Sequence, residues 1–312
     1  MWQVIAGIFL GWSLGSNDAS NVFGTAVASR MVRFWTAAVL CSVFVILGAL
    51  MEGQEGIATY QTLSPMAPNT AFIVSLAAAL TVTLMSVLRL PVSTSQAVVG
   101  ALVLVGVLND SLNLASLGKV VLCWVGTPIG AAGVTVILYF SLGALMNRLQ
   151  PTIFAWDRGL RFALIAAGSY GAYALGANNV ANVTGPFAGE GMLTPFEATA
   201  IGSSAIALGV ITYSRNVMMT VGKDLVRLDA FTAFVAILSE AITVHFYAMV
   251  GVPVSTSQAI VGAVLGVGLV KGSKTINKRT LMRIGFGWVG TPIISAGVAW
   301  ALYLLFKHFE LF

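Results

Sequence analysis

The sequence predicts an all-α integral membrane protein. It reads as a polytopic helical bundle of two inverted-topology repeats, with broken helices or re-entrant hairpins and about 10–12 membrane segments. Three observations carry this. Of 312 residues, 58% are hydrophobic and only 9% charged, against about 25% charged in a soluble domain. Mean hydropathy is +0.92. Three motifs each occur twice, in the same order. The first two observations exclude a secreted domain, a cytosolic enzyme and a nucleic-acid binder. The partner they imply is a lipid bilayer, and the net charge of +5 then reports basic cytoplasmic loops. Cys41 and Cys123 lie in apolar runs without disulfide or metal-ligand spacing, and no cofactor is expected. Met1 opens on an apolar stretch with no basic region before it, which reads as a retained segment rather than a signal peptide.

A helix needs about 20 apolar residues to cross the hydrocarbon core. That ruler gives ten runs: 2–29, 34–51, 69–88, 92–108, 118–146, 161–187, 198–214, 229–249, 254–270 and 284–306. With the first run starting outside, 14 of the 16 Lys and Arg residues fall in cytoplasmic loops, and only Lys119 and Lys307 fall outside. Ten crossings with both termini extracytoplasmic are therefore expected, in the cell (plasma or inner) membrane.

The repeats divide the chain at about residue 150. Residues 1–150 and 151–312 each hold five runs. Gly15-Ser16-Asn17-Asp18-Ala19-Ser20-Asn21 returns as Gly176-Ala177-Asn178-Asn179-Val180-Ala181-Asn182. Pro91-Val92-Ser93-Thr94-Ser95-Gln96 returns unchanged at Pro253–Gln258, and Trp124-Val125-Gly126-Thr127-Pro128 returns at Trp288–Pro292. An odd number of crossings per half inverts the second half, the architecture of secondary transporters with a site near the midplane. The first Pro-Val-Ser-Thr loop is expected on the cytoplasmic side and its copy on the outer side.

Asp18 lies near mid-membrane, where a carboxylate costs several kcal/mol unless partnered and marks function. Its other reading is a cap on a helix that restarts after a break, and such a capped start is itself an anion site. Ser93, Thr94, Ser95 and Gln96, with Ser255, Thr256, Ser257 and Gln258, open helices after a proline. They offer hydroxyls, amides and free backbone N–H groups at a positive dipole end, suited to a small oxyanion. Asn178, Asn179 and Asn182 add amides from the other half. Lys119 and Arg161 sit at the ends of their runs and no Lys or Arg lies deeper inside one, so the anion needs a co-bound cation. Asp18, Asn21, Asn182 and the Ser/Thr hydroxyls are hard oxygen ligands for Na⁺, or Asp18 takes a proton. Glu240 is either a coupling-ion or proton site or a hydrogen-bonded structural group. Thr127 and Thr291 read as partners of proline kinks, with cation ligation as the other reading. His245 is expected to be a satisfied interfacial residue, and Glu52 and Glu55 to be loop charges. No nucleophile–base pair or His-Glu-x-x-His supports an intramembrane enzyme.

Residues 15–25, GSNDASNVFGT, and 176–186, GANNVANVTGP, together with the two PVSTSQ segments, resemble the signatures of the PiT family of inorganic phosphate transporters. The resemblance covers both halves. It implies an inverted-repeat transporter, functional positions at Asn17, Asp18, Asn178 and Asn179 beside the two Ser-Thr-Ser-Gln segments, and a homodimer. It also implies inorganic phosphate as the substrate, driven by sodium ion or H⁺. The second signature of the family usually carries Asp where this chain has Asn179, which bears on stoichiometry and on the choice between phosphate and sulfate. A sulfate or other oxyanion permease and an anion channel are the competing functions.

Overall fold

The computed structural model describes every residue except 65, 89–91, 151, 189–191, 225–227, 273–277 and 310–312. Arg89, Pro91, Arg227 and Lys274, used above for sidedness and motifs, lie outside the described residues. Eleven α-helices and one 3₁₀ turn account for nearly all the rest, with no strand among the described residues. The first half holds α1 (Val4–Ala28), α2 (Phe34–Glu52), α3 (Gln54–Leu63), α4 (Pro68–Val87), α5 (Thr94–Leu108) and α6 (Leu114–Leu149). The second holds α7 (Ile153–Thr184), α8 (Pro195–Asp224), α9 (Ala230–Met249), α10 (Thr256–Lys271) and α11 (Lys278–His308).

By length and composition, α2, α4, α6, α8, α9 and α11 are each apolar enough to cross a membrane. The polar signatures dilute α1 and α7 below that mark. At 15 and 16 residues, α5 and α10 reach only about 22–24 Å, short of a hydrocarbon core of about 30 Å.

Packing shows how the short helices fit. Gln3 bonds Asn69, Ser13 lies 3.0 Å from Thr83, and Ser86 reaches Asn17. So α4 runs beside α1 in the same direction and stops level with the middle of it. At the far end of α5, Ser111 meets Ser64 at 2.8 Å and the Asn113 amide bonds the Leu63 carbonyl. Thus α5 returns to the face where α4 began, and α4–α5 is a re-entrant hairpin. The second half repeats this. Lys271, ending α10, pairs with Asp229, which caps α9. Gly251, at φ +74°, turns the chain at the tip, a backbone region that glycine enters without the Cβ clash.

The ten expected crossings therefore become six, made by α1, α2, α6, α7, α8 and α11, plus two hairpins. Runs 69–88 and 92–108 pair into one hairpin, and 229–249 and 254–270 into the other. Val92–Thr94 of the first Pro-Val-Ser-Thr segment, and Pro253–Thr256 of the second, consequently do not sit on opposite sides of the bilayer; both lie at hairpin tips inside the bundle. Three crossings per half keep the inversion. The start of α1 and the end of α11 share one face: Trp2 meets Phe72 with ring centroids 4.9 Å apart, and Phe72 meets Phe306 at 5.7 Å, both tilted.

Most of the largest helix interfaces join the two halves: α1 with α8, α2 with α7, α6 with α10 and α5 with α11, while α7 with α9 lies within the second half. Glycine permits the close approaches, and each occurs twice. A Cβ on Gly15 would stand 2.0 Å from the Ile206 carbonyl oxygen, and one on Gly176 would stand 2.0 Å from that of Val45. Gly100 lies against Pro292 and Gly262 against Pro128 in the same matched way. Lipid offers no hydrophobic drive between helices, so small residues and close packing hold such interfaces together.

Candidate functional site

The two signatures are continuous helix. α1 passes unbroken through residues 15–21 and α7 through 176–182, so Asp18 does not cap a restarted helix. The breaks are at the hairpin tips, and the helix starts that carry free amides are those of α5 and α10.

Each start is capped by its own serine. Ser93 Oγ accepts from the Gln96 amide at 3.3 Å, and Ser255 Oγ from the Gln258 amide at 3.2 Å. The residues two further on fasten the tips to each other: Ser95 Oγ donates to the Val254 carbonyl at 2.9 Å, and Ser257 Oγ to the Val92 carbonyl at 3.0 Å. These bonds are equivalent by the repeat.

The signature side chains meet these tips. Asp18 is buried, 2% exposed. Its Oδ1 accepts from Asn17 Nδ2 at 2.8 Å, and its Oδ2 from Thr256 Oγ1 at 3.0 Å and Asn179 Nδ2 at 3.4 Å. In the other half, Asn178 Nδ2 donates to Asn179 Oδ1 at 2.8 Å and to the Val254 carbonyl, while Asn178 Oδ1 accepts from the Val254 amide. Asn21 Nδ2 reaches Ser257 Oγ at 3.2 Å, and Asn182 Nδ2 reaches Ser95 Oγ at 3.0 Å. Twelve sequence-selected residues thus form one buried centre: Asn17, Asp18, Asn21, Ser93, Ser95, Asn178, Asn179, Asn182 and, from the second tip, Ser255, Thr256, Ser257 and Gln258. Thr94 and Gln96 are buried beside them at the first tip. Among the described residues, Thr94 Oγ1, Gln96 Oε1 and Gln258 Oε1 are buried oxygens without a partner.

Three expected ligands stand apart. Thr127 donates to the Cys123 carbonyl at 2.7 Å, and Thr291 to the Gly287 carbonyl at 2.6 Å. Each lies beside an in-helix proline and bonds back to its own preceding turn, as a kink partner does. Glu240, on α9, is fully buried and makes no hydrogen bond to this centre.

Other residues escaped the sequence. Tyr60, on α3, donates to Asn182 Oδ1 at 2.5 Å. No motif signalled it, because residues 54–63 belong to no apolar run. Glu52 is not a free loop charge: it accepts from Tyr173 and pairs with His245 at 2.7 Å, and His245 also meets Tyr170. The expected satisfied histidine is found, with a carboxylate partner that lay 193 residues away.

Chemically, the centre combines two inward-facing helix starts, which favour anions, with a carboxylate and unpartnered neutral oxygens, which favour a hard cation. A family model described as the phosphate transporter family matches residues 14–299. The chain belongs to that family. Among curated relatives, a candidate phosphate permease of Methanocaldococcus jannaschii is 33% identical over 293 residues, covering 94% of this chain and 93% of its own. The sulfate permease CysP of Bacillus subtilis is 29% identical over 314 residues, covering 97% and 87%. A solved structure titled as the sodium-dependent phosphate transporter superposes with a TM-score of 0.82 at 23% identity, covering 97% of this chain and 98% of that one. At that identity the likeness speaks for the fold. The chain is thus a membrane protein of a phosphate transporter family.

Proposed function

We propose that the protein is a secondary active symporter that carries inorganic phosphate together with a cation, Na⁺ in preference to H⁺, by alternating access. The observation that carries this reading is the meeting of two oppositely inserted helix starts over one buried carboxylate. Phosphate is held by the starts of α5 and α10 through Ser93–Gln96 and Ser255–Gln258, with Asn17, Asn178 and Asn179. The cation is held by Asp18 with Asn21, Asn182 and the unpartnered oxygens of the tips. Among the described residues no Lys or Arg bonds to this centre, so the cation supplies the positive charge that the anion lacks. The sodium dependence named for the similar structure supports Na⁺.

The two repeats act as inverted units of a cell-membrane protein whose termini are extracytoplasmic, in line with the distribution of Lys and Arg. α6 and α11 turn apolar faces outward, including Leu122, Phe140, Phe286 and Ile293. These face lipid and, in a homodimer, a second copy.

A second reading has a specific observation behind it: the similarity to a sulfate permease. The test is labelled phosphate uptake into proteoliposomes under an inward Na⁺ gradient or an equal proton gradient, with sulfate as competitor. Na⁺-driven uptake that excess sulfate leaves intact is expected. Uptake abolished by sulfate supports the second reading. Asp18→Asn is expected to remove coupled uptake while the protein stays folded; transport like the wild type would refute the role of Asp18.

A further inference from the structure

The repeat places one buried carboxylate in each half, at positions that do not correspond. Asp18 matches Asn179 at an offset of 161, and Glu240 matches Ala78 at 162, the offset of the hairpin motif. The second half therefore lacks an acid in its signature and has one on the adjoining hairpin arm. We infer that Glu240 is a proton-carrying site of the transport cycle, a second buried acid that stands apart from the centre, on α9 rather than on the signature helix.

The surroundings of Glu240 argue for a proton rather than a metal ion. Glu240 and Asp18 are both buried, yet three donors serve Asp18 and, among the described residues, neither oxygen of Glu240 has a partner. The wall beside it is carbon. Gly171 of α7 makes the room: a Cβ there would stand 3.3 Å from Glu240 Oε2 and 2.9 Å from Val22 Cγ1 of α1, next to Ala241. The nearest hydroxyls on its own helix, Ser239 and Thr243, donate to carbonyls one turn back. A hard cation needs several oxygens, and a bare buried carboxylate costs several kcal/mol. A proton neutralises it without further ligands.

The titratable groups around it are few. Asp18 on α1 and Cys41 on α2 lie within electrostatic range. On α7 and α2, nearer the tip, Tyr170 meets His245, which pairs with Glu52, and Glu52 accepts from Tyr173. Asp229 and Lys271 pair at the base, and α6 and α10 meet α9 through Ala131, Ala259 and Ala263.

Glu240 shares its hairpin with Thr256, which bonds Asp18. When that hairpin shifts and water enters, the O–H bond of Glu240 breaks, its proton passes to water on the open side, and the carboxylate remains. Reprotonation precedes closure.

The transport arm of the test rests on the symport reading; a second arm does not. Labelled phosphate uptake under a sodium gradient is measured for the wild type and Glu240→Gln at equal inner and outer pH, from about pH 5.5 to about 8. Ionisation of the substrate affects both proteins alike, so their ratio isolates the protein's own titration, and we expect it to change by about fivefold or more. A flat ratio overturns the proposal. If the wild type moves no phosphate, the cargo reading fails, and thermal unfolding in detergent decides this one. A proton held by the native state alone makes stability fall as pH rises, so the wild-type midpoint is expected to fall more steeply than that of Glu240→Gln. Equal slopes overturn the proposal.

Discussion

Gly15→Ala is the most demanding test of how the halves are joined. The added methyl would stand 2.0 Å from the Ile206 carbonyl oxygen. Carbon and oxygen come no closer than about 3 Å, so α1 and α8 must part by about 1 Å, a backbone shift of the overpacking kind that costs about 1–3 kcal/mol. Helix propensity acts the other way, favouring Ala over Gly by about 1 kcal/mol. Gly143, on α6, is the control, because a Cβ there meets nothing within 4 Å. Gly143→Ala should therefore be neutral or stabilising, and Gly15→Ala destabilising, by thermal unfolding of the detergent-solubilised protein. The repeat adds a demand: Gly176→Ala, 2.0 Å from the Val45 carbonyl, should lose a similar amount. Asp18 lies one turn beyond Gly15, so uptake should fall in both variants. Gly15→Ala as stable as Gly143→Ala would refute the close approach.

Three other outcomes are expected. Ser95→Ala and Ser257→Ala each remove one tip-to-tip bond and should cost about 1 kcal/mol apiece; phosphate affinity weakened by only one of them would contradict a shared site. Tyr60→Phe removes the hydroxyl on Asn182 Oδ1 and should cost about 1–3 kcal/mol and slow uptake, read by unfolding and initial rates. Asp229, at the base of the second hairpin, is pushed up by burial, but the Lys271 and Thr232 hydrogen bonds outweigh this and leave it below the usual carboxylate range. Its contribution is full above that range and is lost as pH falls below it. With both side chains partly exposed, Asp229→Asn should cost under about 1 kcal/mol at neutral pH and nothing in acid, measured as the difference in unfolding midpoint.

The chemistry of the centre was legible because it is written twice. Duplicated Asn-Asp/Asn-Asn and Ser-Thr-Ser-Gln segments are rare in apolar runs, and both copies converge on one centre. The path of the chain was less legible. Hydropathy measures length and composition, and 69–88 is long enough to cross; only the returning contacts of Ser64 with Ser111 and of Lys271 with Asp229 reveal a hairpin. The alternative reading of Asp18, as the cap of a restarted helix, failed for a related reason. Polar residues at mid-membrane are tolerated in an unbroken helix when amides and hydroxyls from other helices satisfy them, as Thr256 and Asn179 do. Tyr60 and the Glu52–His245 pair were hidden because partners 122 and 193 residues apart leave no local pattern.

The two bonds between the hairpin tips are held in common. If either hairpin swings away, Ser95 loses the Val254 carbonyl and Ser257 loses the Val92 carbonyl together. Under the alternating access proposed above, both directions of opening begin from the same loss, about 2 kcal/mol for two such bonds. The tips cannot tell inward from outward. That distinction falls to the hairpin bases, an ion pair at one face and a serine pair at the other, so added salt should weigh more on the face closed by Lys271 and Asp229.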